Sequence, residues 1–92
     1  MMNIPAITDI DTALSIYYNN PEIGNTEIIS LFGNRSTATI ARLKQLVRNE
    51  MIKNNICTYG ANKVKTEIAY TVWGLDVSDL ETRRKKLKAL QL

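Results

Sequence analysis

Ninety-two residues suit one domain, because a single core organises about 100 to 150 residues, and a composition 45% hydrophobic and 23% charged excludes a disordered chain. Histidine is absent and Cys57 is the one cysteine, which excludes an internal disulfide, His/Cys metal centres and a Ser–His or Cys–His nucleophile. The formal net charge is +3, and its apolar runs of a few residues fall short of the roughly 18 needed to span a bilayer.

The first element follows Thr8. Ile10, Ala13, Leu14 and Tyr17 lie at i, i+3, i+4 and i+7, the stripe of an amphipathic helix, with Thr8 or Asp9 as cap and Asp11 suited to the first turn. It should end at Asn19 or Asn20, before Pro21. A short second helix, capped by Asn25 or Thr26, carries Ile28, Ile29, Leu31 and Phe32 and breaks at Gly33-Asn34. The third helix, 36–51, puts Ile40, Leu43, Leu46 and Val47 on one side. On the other lie Thr37, Ala38, Ala41, Arg42, Gln45, Arg48 and Asn49.

After Met51 the period changes to two. Val64, Thr66, Ile68, Tyr70 and Val72 alternate with polar residues, which predicts a strand over Val64 to Trp73, and Ile52 to Tyr59 reads as a weaker partner. Gly60-Ala61-Asn62-Lys63 would close them into a hairpin, 56–70, that leans on the helices. Ser78, three residues before Glu81, has capping-box spacing and opens a last helix within 76–92, where Leu80, Leu87 and Leu90 form a thin apolar seam.

Charge is segregated along this order. Residues 1–34 hold four acids and no Lys or Arg; residues 35–65 hold Arg35, Arg42, Lys44, Arg48, Lys53, Lys63 and Lys65 against Glu50, a net +6; residues 66–92 sum to +1. A basic block behind an acidic head concerns partners rather than fold.

Three helices followed by a hairpin resemble a winged helix-turn-helix, an α+β, mainly α, fold. Ile28-Ile29-Ser30-Leu31-Phe32-Gly33 is similar to the superfamily's second helix, with two apolar pairs before the turn glycine. Arg42-Leu43-Lys44-Gln45-Leu46, with Ile52 six residues on, is similar to the end of its recognition helix and the entry to the wing. Asn20-Pro21 through Glu27-Ile28 resembles the loop into helix two. The resemblance covers residues 8–73 of a single domain, 1–92. It departs at Asn34-Arg35, where an apolar residue and then Ser or Thr is usual, and at Glu50, which replaces the glycine that ends the recognition helix; that helix could therefore run on to Asn54 or Asn55, where asparagine takes a left-handed cap.

The resemblance implies a small, non-enzymatic regulator, of prokaryotic or phage type, that binds double-stranded DNA. A helix fits the major groove, where exposed side chains meet base edges. Thr37, Ala38, Ala41, Arg42 and Gln45 are the candidate base readers, while Arg35, Ser36, Lys44 and Arg48 are placed for phosphates. Tyr59, Asn62, Lys63 and Lys65 would sit on the wing. A homodimer through Leu80, Leu87 and Leu90 would set two recognition helices about 34 Å apart, one DNA turn, although the seam could instead pack on the first helix.

Arg83 to Lys88, five basic residues in six, suits DNA, a partner chain or the end of a helix dipole. Tyr17, Tyr18, Tyr70 and Trp73 read as core or interface, and Cys57 as a small hydrophobe. A plasmid or phage replication or packaging accessory protein, or a protein-interaction module, are the alternative roles. No metal, cofactor or membrane partner is expected. Met1 to Asp9 lacks a basic n-region and a long h-region, so a cytoplasmic location is expected.

Overall fold

Asp9 starts the first helix, α1 (Ile10–Asn19), by accepting the Thr12 N–H at 2.7 Å. In this computed structural model, which describes residues 4–58, 60 and 62–90, α1 buries Ala13, Leu14 and Ile16. The chain then passes through a two-residue strand, β1 (Glu22–Ile23), into α2 (Asn25–Phe32). Gly24, one residue ahead of the expected cap, opens α2, and the Glu27 carboxylate accepts its N–H at 2.8 Å. Gly33 ends α2 at φ 85°, ψ −179°, a conformation open essentially to glycine alone.

The third helix, α3 (Thr37–Lys53), is capped by Ser36, whose hydroxyl accepts the Thr39 N–H at 3.2 Å. It runs past Glu50 and stops at Asn54-Asn55, as the lack of a glycine at 50 implies. Asn55 takes φ 57°; its N–H reaches the Ile52 carbonyl at 3.1 Å and the Ile56 N–H reaches Met51 at 2.9 Å. These two bonds satisfy carbonyls that the helix end would otherwise leave open.

Beyond α3 the structure corrects the expected hairpin. Ile52 and Lys53 are the last turn of α3, not the start of a strand, and residues 54–63 connect without forming one among those described. Tyr59 lies outside the described residues. The strand expected over Val64 to Trp73 shrinks to β2 (Val64–Lys65), followed by a helix, α4 (Thr66–Val72). Val64 and Lys65 pair antiparallel with Ile23 and Glu22 of β1, so the partner of this strand lies before α2 rather than after α3.

The reason is a second period in the same residues. Thr66, Ala69, Tyr70 and Trp73 are spaced i, i+3, i+4 and i+7, and all four are buried. A strand would turn Ala69 and Trp73 outward, away from Thr66 and Tyr70. Gly74, at φ 74°, closes α4, with its N–H on the Thr71 carbonyl at 3.2 Å and the Leu75 N–H on Tyr70 at 2.8 Å.

The core joins these pieces. Tyr70 of α4 donates its hydroxyl to the Ala13 carbonyl of α1 at 2.6 Å, and the Phe32 and Trp73 rings meet edge to face at 5.2 Å. The last helix, α5 (Val77–Leu90), opens on Asp76, whose carboxylate accepts the Asp79 N–H at 3.2 Å; Ser78 is inside the first turn. It packs on α1 through Leu80, which is buried, and through an Arg84–Asp11 ion pair at 2.8 Å. Leu80 thus belongs to the protomer's own core. Among the described residues no helix is long and apolar enough to cross a membrane, and no group of acids or cysteine is arranged to hold a metal.

Candidate nucleic-acid interface

Two helices and a tight turn set the position of α3. Thr8 grips the end of α2, with its N–H on the Leu31 carbonyl at 2.8 Å and its hydroxyl on Ser30 at 2.9 Å. Arg35 then turns back, its Nε donating to the Phe32 carbonyl at 3.1 Å. With the turn fixed at both sides, α3 presents its outer face at a defined angle to α2.

Thr37, Ala38, Ala41, Arg42 and Gln45, the candidate base readers, are all exposed on α3. The Gln45 amide nitrogen donates to the Asn49 side-chain oxygen at 2.8 Å, on the exposed face of the helix. Arg35 and Ser36 are exposed at the helix start, and Arg48 is half-buried.

Lys44 is the unexpected case. Only 8% of it is accessible, and its ammonium donates to the Asn62 carbonyl in the following connection. Burial first, and then the Arg48 guanidinium, push its pKa below the usual lysine value. Helical spacing carries the signal: at 100° per residue Lys44 falls roughly 40° from Ile40, inside the buried stripe, whereas Leu46 falls about 120° away and is exposed. The ammonium therefore tethers the 54–63 connection to α3.

Asn62, at φ 63°, and Lys63 are exposed at the end of that connection. Lys63 lays its stem over Gly60; a Cβ there would come within 2.8 Å of Lys63 Cδ. Lys65 is half-buried on β2 and paired with Glu22 at 3.3 Å, beside the Gly60 N–H that Glu22 also accepts at 2.9 Å. Lys65 thus closes the β1–β2 pair and stands apart from the α3 face.

One groove of about 300 Å³ collects most of the candidates. Arg35, Thr37, Ala41, Lys44, Gln45, Arg48 and Asn62 line it, together with Ile40 and with Asn25 and Ile29 of α2. Ala38 and Arg42 lie outside this lining, further round α3. Three basic residues and no acid appear among the described lining residues, so the groove favours an anion.

Asn25 and Ile29 were not expected here. Ile29 reads as core from composition, yet it is 39% exposed. Its position shows why: Ile28, Leu31 and Phe32 form the i, i+3, i+4 stripe, and Ile29 falls off it. The Leu87 and Leu90 side chains are also exposed, on α5. Compared with known proteins, the chain matches no family model, no curated sequence and no solved structure.

Proposed function

We propose that this chain binds double-stranded DNA through α3, as a small transcriptional regulator without a catalytic step of its own. The observation that carries this reading is the groove, where side chains able to meet base edges (Thr37, Ala41, Gln45) share one acid-free wall with side chains able to meet phosphates (Arg35, Arg48). Ala38 and Arg42 extend the base-facing surface around the helix. Relation to the winged helix-turn-helix is supported by the turn at Gly33 and by β1, between the first two helices, pairing with the strand that follows the third. The hairpin wing has no part in the proposal; the tethered connection bearing Asn62 and Lys63 lies beside α3 in its stead.

Selection of binding sites from random duplex, followed by salt titration, tests the reading. An enriched motif is expected, with log affinity falling linearly against log salt at a slope of roughly −0.9 for each phosphate neutralised. No enrichment and no salt dependence would refute it. Arg48→Ala should weaken binding to all duplexes, whereas Arg42→Ala should relax preference at one position.

A further inference from the structure

Helix α5 leaves the body of the protein after two apolar anchors in its first turn, the partly buried Val77 and the buried Leu80. Leu80 is 5% exposed, whereas every residue from 81 to 90 is exposed. The Tyr18 hydroxyl donates to the Glu81 carboxylate, Arg84 pairs with Asp11 on α1, and Arg83 pairs with Asp79 one turn back at 3.0 Å; beyond these, Leu87 and Lys88 line a groove with Asp9, Ile10 and Asp11. Among the described residues, no acid pairs with Lys85, Lys86 or Lys88.

The helix dipole explains little of this charge. Its effect is confined to the last turn, where Lys88 is the basic residue, so Lys85 and Lys86 lie outside its reach. Packing does not explain Lys85 and Lys86, which fall roughly 140° and 120° around the helix from Leu80, whereas Lys88 lies beside the groove between α5 and the start of α1. A lipid surface suits it poorly, since interfacial helices bury a broad apolar face and α5 exposes Leu87 and Leu90 alone as large apolar groups. What remains is a cationic stretch, with Lys85 and Lys86 furthest from any paired acid, on a protein whose other basic concavity lies along α3.

We infer that α5 is a second, sequence-independent contact with the DNA phosphate backbone, made by Lys85, Lys86 and Lys88. This rests on the proposed DNA-binding role of α3. The two surfaces divide the work: α3 reads bases, and α5 adds counterion release on any sequence.

The test compares the full chain with Lys85→Gln/Lys86→Gln/Lys88→Gln and with Arg35→Ala/Arg48→Ala, each titrated against a random-sequence duplex and the selected site from 50 to 200 mM salt. Expected for the triple glutamine variant are affinity lower by about tenfold or more at low salt, a slope shallower by about two to three units, and an unchanged selected motif. If that variant binds as the parent does while the Arg35/Arg48 variant is weakened, the α5 contact is wrong and the α3 reading stands. If the parent binds neither duplex, both fail. Loss of binding to phosphatidylserine vesicles without any change on DNA would overturn the inference in favour of a lipid surface.

Discussion

The indole N–H of Trp73 donates to the Leu43 carbonyl at 3.1 Å, fastening the end of α4 to the middle of α3. Both partners are buried, and the Trp73 ring also meets Phe32 at the end of α2. One side chain thus braces both α2 and α3. Trp73→Phe keeps an aromatic ring but removes the donor, and should lower stability by about 1 kcal/mol or somewhat more with the lost volume. Trp73→Ala should cost about 3 to 5 kcal/mol. Urea denaturation measures both; a Phe variant with the parent's midpoint would show that the bond contributes nothing net.

The same residue marks where the sequence misleads. Between Thr66 and Trp73, β-branched and aromatic residues occupy alternate positions, and strand preference follows from that composition. Yet preference of this kind reports fit to a half-buried surface, and here tertiary packing decides otherwise. Only the helical register brings Tyr70 to Ala13 and Trp73 to Leu43. Elsewhere local chemistry was legible: Asp9 and Ser36 cap as their types suggest, Gly33 breaks α2, and Asn55 takes the left-handed position once Glu50 fails to stop α3. In the site, exposed α3 residues were readable from period alone. The burial of Lys44 was readable too, but its charge argued for solvent, and its carbonyl partner, Asn62, lies 18 residues away, beyond the reach of any local pattern.

Gly33→Ala tests the turn. At φ 85° and ψ −179° an alanine is strained, although its Cβ would meet only Thr8 Cγ2 at 3.5 Å, an ordinary contact. The cost should therefore be backbone strain, about 1 to 3 kcal/mol, without overpacking. Thermal or urea denaturation reads it, and an alanine variant as stable as the parent would mean that the turn can relax.

Leu80 and Leu87 share a helix but not an environment. Leu80→Ala should cost about 2 to 5 kcal/mol because it empties part of the core shared with α1. Leu87→Ala, on an exposed stretch, should change stability by no more than about 0.5 kcal/mol. Sedimentation of the same two variants asks whether Leu87 contacts a second chain. A lower mass for the Leu87 variant than for the parent would assign Leu87 to a dimer interface.

Tyr70 gives the fold an alkaline limit. Burial first, and then Tyr17 beside it, raise its phenol far above the ordinary tyrosine value of 10.0. In the unfolded chain the phenol ionises near 10, while in the folded chain it stays neutral and donates to Ala13. The folded state therefore keeps a proton that the unfolded state releases. This contribution is fully present below about pH 10 and is lost progressively as pH rises from there towards the folded pKa. Tyr70→Phe should flatten the fall in stability above pH 10, at a cost of about 1 kcal/mol at neutral pH. Tyr18, whose phenol is raised by its bond to Glu81, leaves some slope in both proteins. Parallel curves for parent and variant above pH 10 would place Tyr70's ionisation elsewhere.

On the proposed DNA-binding reading, the Asn49 bond leaves one part of the Gln45 amide open to a base edge. The Gln45 amide carries two N–H groups and one carbonyl, and Asn49 takes one N–H at 2.8 Å. The other N–H and the carbonyl oxygen form the donor–acceptor pair that matches N7 and N6 of adenine in the major groove. Gln45→Ala should thus lose about 1 to 3 kcal/mol of preference for an A·T pair at one position of the selected site and leave the salt slope unchanged. Asn49→Ala should weaken the same preference less, because it frees the amide to rotate without removing it. Gln45→Glu, which can only accept, should shift preference at that position towards cytosine, whose N4 donates. Affinities for the four duplexes that differ at that base pair decide it. Equal losses at all four would reassign Gln45 to the backbone, and preference unchanged in the Asn49 variant would show that the bond between the two amides does not orient the reading group.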